Sequence, residues 1–179
     1  MELKGSKTEQ NLIKAFMGES EARTKYTIYG EKARIDGYQQ IGAIFDETSD
    51  NEKEHAKIWF KILNKNHIGD TLNNLKEAAN GEQYEWTKMY KEFATIAREE
   101  GFIQIANLFV KVGSIEKMHD ERYLKLASNI ENNKVFSKDE ETIWICRNCG
   151  YVYYGYDALK VCPVCNHPES FMEVKAHNY

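Results

Sequence analysis

The chain has 179 residues, 42% of them hydrophobic and 29% charged, with a net charge of −4. That is enough for one ordinary domain, or one domain with a small module, and the mild acidity argues against a nucleic-acid partner or a polybasic membrane contact. No stretch approaches the roughly 18 apolar residues of a membrane span, and Met1 to Gly18 lacks the apolar core of a signal peptide, so a cytoplasmic protein is expected.

Residues 1 to about 135 contain no proline, and their apolar residues recur at spacings of three and four. This is the pattern of amphipathic helices. Gly37 and Gly101 interrupt it where a left-handed C-cap would stand. Weaker breaks fall near Gly69-Asp70 and at Gly81, although a helix tolerates a glycine at about 1 kcal/mol relative to alanine. Four helices are expected, over roughly 7–36, 38–66, 71–100 and 102–131. The chain also repeats itself. Slid along until Tyr26 meets Tyr90, it superposes without a gap Ala33, Arg34, Gly37, Gln40, Ile41, Phe45, Glu52, Lys53 and His55 on Ala97, Arg98, Gly101, Gln104, Ile105, Phe109, Glu116, Lys117 and His119. Each half is then a helical hairpin, and two hairpins make a four-helix bundle.

Each helix carries polar groups in the middle of its apolar stripe. The first has Glu19, the second Glu52 and His55, the third Glu82 and Glu85, the fourth Glu116 and His119. Glu19 and His55 stand equally far along the chain from Gly37, on its two sides, with Glu52 one helical turn nearer. Glu82 and Glu85 precede Gly101 by nearly the same distances at which His119 and Glu116 follow it. In antiparallel helices of constant rise these groups reach one level, so five glutamates and two histidines are expected to converge in the bundle interior. Buried carboxylates repel and lose hydration, each at several kcal/mol. No lysine or arginine stands on the stripes at that level. Two metal ions nearly neutralise five carboxylates, carboxylate and imidazole suit iron or manganese, and the i, i+3 spacing of each Glu-x-x-His lets both side chains reach one metal. His67, His167 and His177 match no motif and read as loop or tail residues.

After about residue 140 the composition changes to short-strand and turn residues, with both prolines, Pro163 and Pro168, and all four cysteines. The change falls within the polar stretch 132–141. The pairs Cys146-x-x-Cys149 and Cys162-x-x-Cys165 suit a tetrahedral iron or zinc site in a reducing compartment better than two disulfides. Trp144, Tyr151, Tyr153 and Phe171 are the expected core of this module.

The segments Gly18-Glu19-Ser20-Glu21-Ala22-Arg23, Glu52-Lys53-Glu54-His55, Ala97-Arg98-Glu99-Glu100-Gly101 and Cys146-Arg147-Asn148-Cys149-Gly150-Tyr151 resemble the rubrerythrin family, and the resemblance covers nearly the whole chain. The resemblance implies a mainly α protein: a ferritin-like four-helix bundle over 1–138 with a di-iron site, then a rubredoxin-like iron–tetracysteine domain over 139–179. Glu52 and Glu116 resemble the bridging carboxylates, and Glu19, Glu82 and His119 the terminal ligands. Glu85 resembles the extra carboxylate that one iron exchanges for the histidine matching His55 on reduction. Cys146, Cys149, Cys162 and Cys165 would hold the third iron; Asn166 stands where rubredoxins usually have glycine, and asparagine tolerates the left-handed conformation. The implied activity is reduction of hydrogen peroxide to water in oxidative-stress defence, with electrons from a partner reductase or rubredoxin and a homodimeric assembly, head-to-tail or helix-swapped. Candidate catalytic residues are Glu52 and Glu85, which can carry protons, with Tyr26 and Tyr90 either packing or ordering the site. No Gly-x-Gly-x-x-Gly motif is present, so NADH is not expected to bind directly. The rival reading is a ferroxidase or iron-storage bundle with a zinc-ribbon interaction module.

Overall fold

Hydrogen bonds at the chain turns set the limits of the helices. The computed structural model describes residues 2–176, so His177 lies outside the described residues. The chain divides into two compact units, Met1–Ile68 and Gly69–Tyr179.

The first unit is a hairpin of α1 (Lys7–Ile35) and α2 (Gln39–Leu63). Ser6 caps α1 by accepting from the Glu9 amide at 3.1 Å, while the Glu9 carboxylate accepts from the Gly5 amide. Gly37, at φ +90°, closes the helix: its amide donates to Arg34, and the Tyr38 amide donates to Ala33 at 2.8 Å. The helices touch backbone to backbone at Gly30 and Gly42. A Cβ on Gly42 would stand 3.1 Å from the Gly30 carbonyl oxygen, and one on Gly30 would stand 2.8 Å from Asp46, so side-chain-free residues are needed there. Arg34 donates to Asp46 across the same seam.

In the second unit, α3 (Thr71–Tyr84), a π-turn (Glu85–Met89) and α4 (Tyr90–Glu99) follow one another without a loop and pack against α5 (Ile103–Glu131). Gly101, at φ +87°, closes α4 as Gly37 closes α1. Ala94 and Ala106, fully covered, occupy the positions that Gly30 and Gly42 hold in the first hairpin. Of the two readings of Gly81, the tolerated helical glycine holds, since α3 runs through it. The irregularity comes one turn later, where the Tyr90 amide donates to the Glu85 carbonyl in an i, i+5 turn.

Strands β1 (Ser137–Cys146), β2 (Val152–Asp157) and β3 (Met172–Val174) form an antiparallel sheet in the order β2-β1-β3. β1 begins inside the polar stretch 132–141. The core of this module is Trp144, Cys146, Ala158, Cys162 and Met172, with Tyr151 and Tyr153 against it. Phe171 departs from expectation: it lies at the rim, edge-on to His167 at 4.4 Å, and Met172 takes the interior place.

Among the described residues the fold is therefore mainly helical with a small C-terminal sheet, and no helix is long and apolar enough to cross a membrane. The apolar helix residues Ile41, Phe93, Ile96, Ile105 and Leu126 are 40–46% exposed. A hairpin has one buried seam, and a broader apolar face needs a further layer.

Candidate metal centres

The helix-borne ligands gather into two like trios, one in each hairpin. In the first, His55 Nδ1 lies 2.8 Å from Glu52 Oε2 and 3.8 Å from Glu19 Oε2. In the second, His119 Nδ1 lies 2.7 Å from Glu116 Oε2 and 3.7 Å from Glu82 Oε1. The donor atoms of each trio lie within 4.8 Å of one another. The i, i+3 spacing brings each histidine to its own glutamate, and the antiparallel partner helix supplies the second carboxylate. Glu52 and Glu116 are the most covered members.

Each trio has the donor set of a hard or borderline metal: two carboxylates and an imidazole. The electrostatics ask for a cation. Burial first, and then the neighbouring Glu116, raise the Glu82 carboxyl above its ordinary range. Tyr90 is raised by burial and then by Glu85, Glu116 and Glu82, which places its hydroxyl in the field of three carboxylates. Tyr26 holds the corresponding place in the first hairpin, its ring 6.0 Å from Phe45 as Tyr90 is 6.0 Å from Phe109. Glu85 belongs to neither trio; it is the first residue of the π-turn.

That turn explains an irregularity in the repeat. Downstream of it the halves match in the register that pairs Tyr26 with Tyr90. Upstream, Asn11, Leu12, Ala15, Gly18 and Glu19 match Asn74, Leu75, Ala78, Gly81 and Glu82, which is one position short of that register. A π-turn holds one residue more than an α-turn, so the second hairpin carries a single-residue insertion at the extra carboxylate. The change of register is visible in the sequence, and it is the signal that comparing only the downstream register misses. Trp86 and Asp120 are also absent from the sequence-based ligand pattern: Trp86 Nε1 donates to Asp120 Oδ2 at 2.9 Å, and the two residues adjoin Glu85 and His119 in the chain.

In the C-terminal module the four thiols form one cluster within 4.8 Å. Cys146 and Cys165 lie 3.7 Å apart, and Cys149 and Cys162 3.6 Å. A tetrahedral ion with metal–sulfur bonds of about 2.3 Å sets sulfurs about 3.8 Å apart, so the cluster fits one ion. The two knuckles are alike. The Gly150 amide donates to Cys146 and the Asn166 amide to Cys162, each at 2.9 Å, with both residues at positive φ. Asn166 thus takes the left-handed conformation expected of it. The Tyr151 backbone pulls Cys149 down, but burial and the three other cysteines outweigh it and push the thiol up to about 12. The His167 backbone helps bring Cys165 down to about 6. Four adjacent thiols cannot all ionise unaided, and a bound cation removes that restriction. His167 keeps its bland role: its Nδ1 lies 3.1 Å from the Cys165 carbonyl oxygen.

Paired Glu-x-x-His helices joined to a thiolate knuckle module define a class: the ferritin-like iron–carboxylate proteins that carry a rubredoxin-like centre. The family model for rubrerythrin matches residues 10–127, and that for the rubrerythrin rubredoxin-like domain matches residues 144–173. The chain is 46% identical to rubrerythrin-1 of Clostridium acetobutylicum, over 99% of this chain and 98% of that one. It is 45% identical to the rubrerythrins of Porphyromonas gingivalis and Nitratidesulfovibrio vulgaris, over 99% of this chain and 94% and 98% of theirs. The chain belongs to the rubrerythrin family, a family of iron oxidoreductases that bind a di-iron pair and an iron–tetracysteine centre.

Proposed function

We propose that this protein reduces hydrogen peroxide to water at the helix-borne iron pair, with electrons entering through the tetracysteine iron. The observation that carries the reading is the presence, in one chain, of two carboxylate–imidazole trios and a tetrathiolate cluster. A storage bundle has no need of the latter. When bound, the iron pair supplies two electrons and Lewis acidity toward the O–O bond, and two protons complete the conversion of one peroxide into two waters.

In this reading residues 1–138 form the bundle and residues 139–179 form the relay. Glu52 and Glu116, each within 2.8 Å of the histidine one turn along its helix, would be the carboxylates that hold the two metals in common. Glu19, Glu82 and His119 are terminal ligands. Glu85 and His55 would hold one metal in its two oxidation states, the anionic carboxylate suiting a ferric ion and the neutral imidazole a ferrous one. Glu85 and Glu52 carry protons to the departing oxygen. Tyr26 and Tyr90 hold the neighbouring carboxylates in place, and Tyr90 feels Glu85 most strongly of the three carboxylates around it. The electron donor is a separate reductase or rubredoxin, and the working unit is a homodimer in which a relay of one copy serves a metal pair of the other. The free cysteines suit the reducing cytoplasm.

The test is Cys162→Ser with peroxide and an electron-donating reductase. The variant is expected to retain two irons, to consume about one equivalent of peroxide per reduced pair, and then to stop. Undiminished steady-state turnover would remove the relay from the account.

A further inference from the structure

The two hairpins repeat the trio of carboxylates and imidazole, but beside Glu85 the second carries a carboxylate–indole contact where the first has the Ser49 hydroxyl donating to the Arg23 carbonyl at 2.9 Å. Asp120 follows His119 on α5 and is only 4% exposed. Its Oδ2 accepts the Trp86 indole proton at 2.9 Å, and its Oδ1 is buried with no hydrogen-bond partner. In the first hairpin the corresponding position is Ala56, also buried. Trp86 corresponds to Ala22 or Arg23, according to which side of the π-turn sets the alignment. For packing alone alanine serves, as the first hairpin demonstrates. A buried carboxylate with one oxygen unpaired is a poor choice for stability.

The contact lies where the chain is least regular. Trp86 is the second residue of the π-turn that Glu85 opens, a turn weakened by the longer i, i+5 closure. Asp120 sits on the regular helix that bears Glu116 and His119. The bond therefore ties the inserted turn to the helix that carries the ligands. The ammonium groups of Lys91 and Lys117 each lie 5.6 Å from the Trp86 ring centroid. Positive charge there favours the ring electrostatically and strengthens the indole N–H as a donor.

We propose that Trp86 and Asp120 are positioning residues: their hydrogen bond holds the π-turn so that Glu85 is presented to one metal position, while the matching segment of the first hairpin has no inserted turn and is tied instead by the Ser49 hydroxyl donating to the Arg23 carbonyl. This rests on the ligand reading proposed above. It makes the two metal positions unequal by construction, since only one hairpin contains both the inserted carboxylate and the brace.

The experiment is anaerobic Co(II) titration of the full metal-free chain against a competing chelator, for the wild type, Trp86→Phe, Asp120→Ala and Asp120→Asn. Intense thiolate charge-transfer bands report the tetracysteine site, and the weak ligand-field bands report the carboxylate–histidine sites. Loss of an outer-shell partner costs about 10- to 100-fold in metal affinity. That loss is expected for Trp86→Phe and Asp120→Ala at one of the two carboxylate-site equivalents, with its ligand-field spectrum altered. Asp120→Asn, whose amide oxygen still accepts the indole proton, restores binding. The thiolate bands stay unchanged throughout. Wild-type affinity at both equivalents in Trp86→Phe overturns the proposal, even if that variant melts at a lower temperature, and so does an equal loss at both equivalents. Trp86→Phe keeps a ring in place and decides the matter if Asp120→Ala does not fold. A wild type that takes up fewer than two ions at the carboxylate sites contradicts the ligand reading itself, a result separable from failure of the brace.

Discussion

The two helical hairpins carry the same trio, Glu19–Glu52–His55 and Glu82–Glu116–His119, on different supports. The first is built on close backbone contact at Gly30 and Gly42, with a small hydroxyl pair, Thr27 and Ser49, at its seam. The second is built on Ala94 and Ala106, and its first strand of helix is interrupted by a π-turn at Glu85. Duplication supplies two equivalent ligand sets, while one inserted residue makes them inequivalent.

The largest expected effect tests what the halves share. Glu52→Ala and Glu116→Ala each remove a carboxylate from the most covered part of a trio. Both are expected to lose more than the roughly 10- to 100-fold in iron affinity typical of an outer-shell change, and to abolish peroxide turnover. Iron content after desalting checks this. One variant retaining both irons would break the equivalence of the trios.

The histidines sharpen the comparison. His119→Ala is expected to lower iron content in oxidised and reduced protein alike. His55→Ala is expected to keep two irons when oxidised and to slow turnover by about tenfold, roughly 1.4 kcal/mol of barrier. His55 is the more exposed of the two, with 51% of its side chain accessible against 35% for His119. Equal behaviour of the two variants would remove the ligand-exchange role from His55.

Packing separates the hairpins next. Gly42→Ala forces a Cβ to 3.1 Å from the Gly30 carbonyl and 2.8 Å from Arg34, which is overpacking at about 1–3 kcal/mol. Ala106→Gly, the matching change in the second hairpin, costs about 0.5–1 kcal/mol of backbone entropy and leaves a small void. Urea unfolding of the metal-free chain measures both.

The smallest effect concerns pH. Glu82 has a raised carboxyl in the folded protein. Between its ordinary value and the raised one the folded state binds more protons than the unfolded state, so this contribution to stability is lost as pH rises through the raised value. The metal-free protein should therefore gain stability on mild acidification. The iron-loaded protein should lose it, because protons compete for the ligands. Melting curves of both forms from about pH 7 to 5 should move in opposite directions.

Much of this arrangement is legible in the sequence for physical reasons. Helix periodicity and the two left-handed glycines, Gly37 and Gly101, set the hairpin limits to within a few residues. The Cys-x-x-Cys pairs, with glycine and asparagine after the second cysteine of each, prescribe the knuckles. The i, i+3 motifs place each histidine beside its own glutamate. The π-turn is harder to read, because no single residue type demands it and only the slip of register between Glu82 and Tyr90 reveals it. Asp120 is harder still: it continues the seven-residue spacing of Gly113 and the buried Ala106 and Ala127, and a lone carboxylate on that seam has no evident role until Trp86 is seen to donate to it. Gly81 is ambiguous in the sequence, and the helix runs through it because a glycine within a packed helix costs little enough to be carried.

The most direct measurement follows the visible absorption of the tetracysteine iron in stopped flow. Protein is loaded with iron, reduced anaerobically and mixed with hydrogen peroxide. The ferric–thiolate colour is predicted to return rapidly in the wild type, and to stay bleached on that timescale in Glu116→Ala, which keeps its four cysteines but lacks the iron pair. Recovery at the wild-type rate in that variant would show that peroxide reacts without the helix-borne metals and would contradict the account.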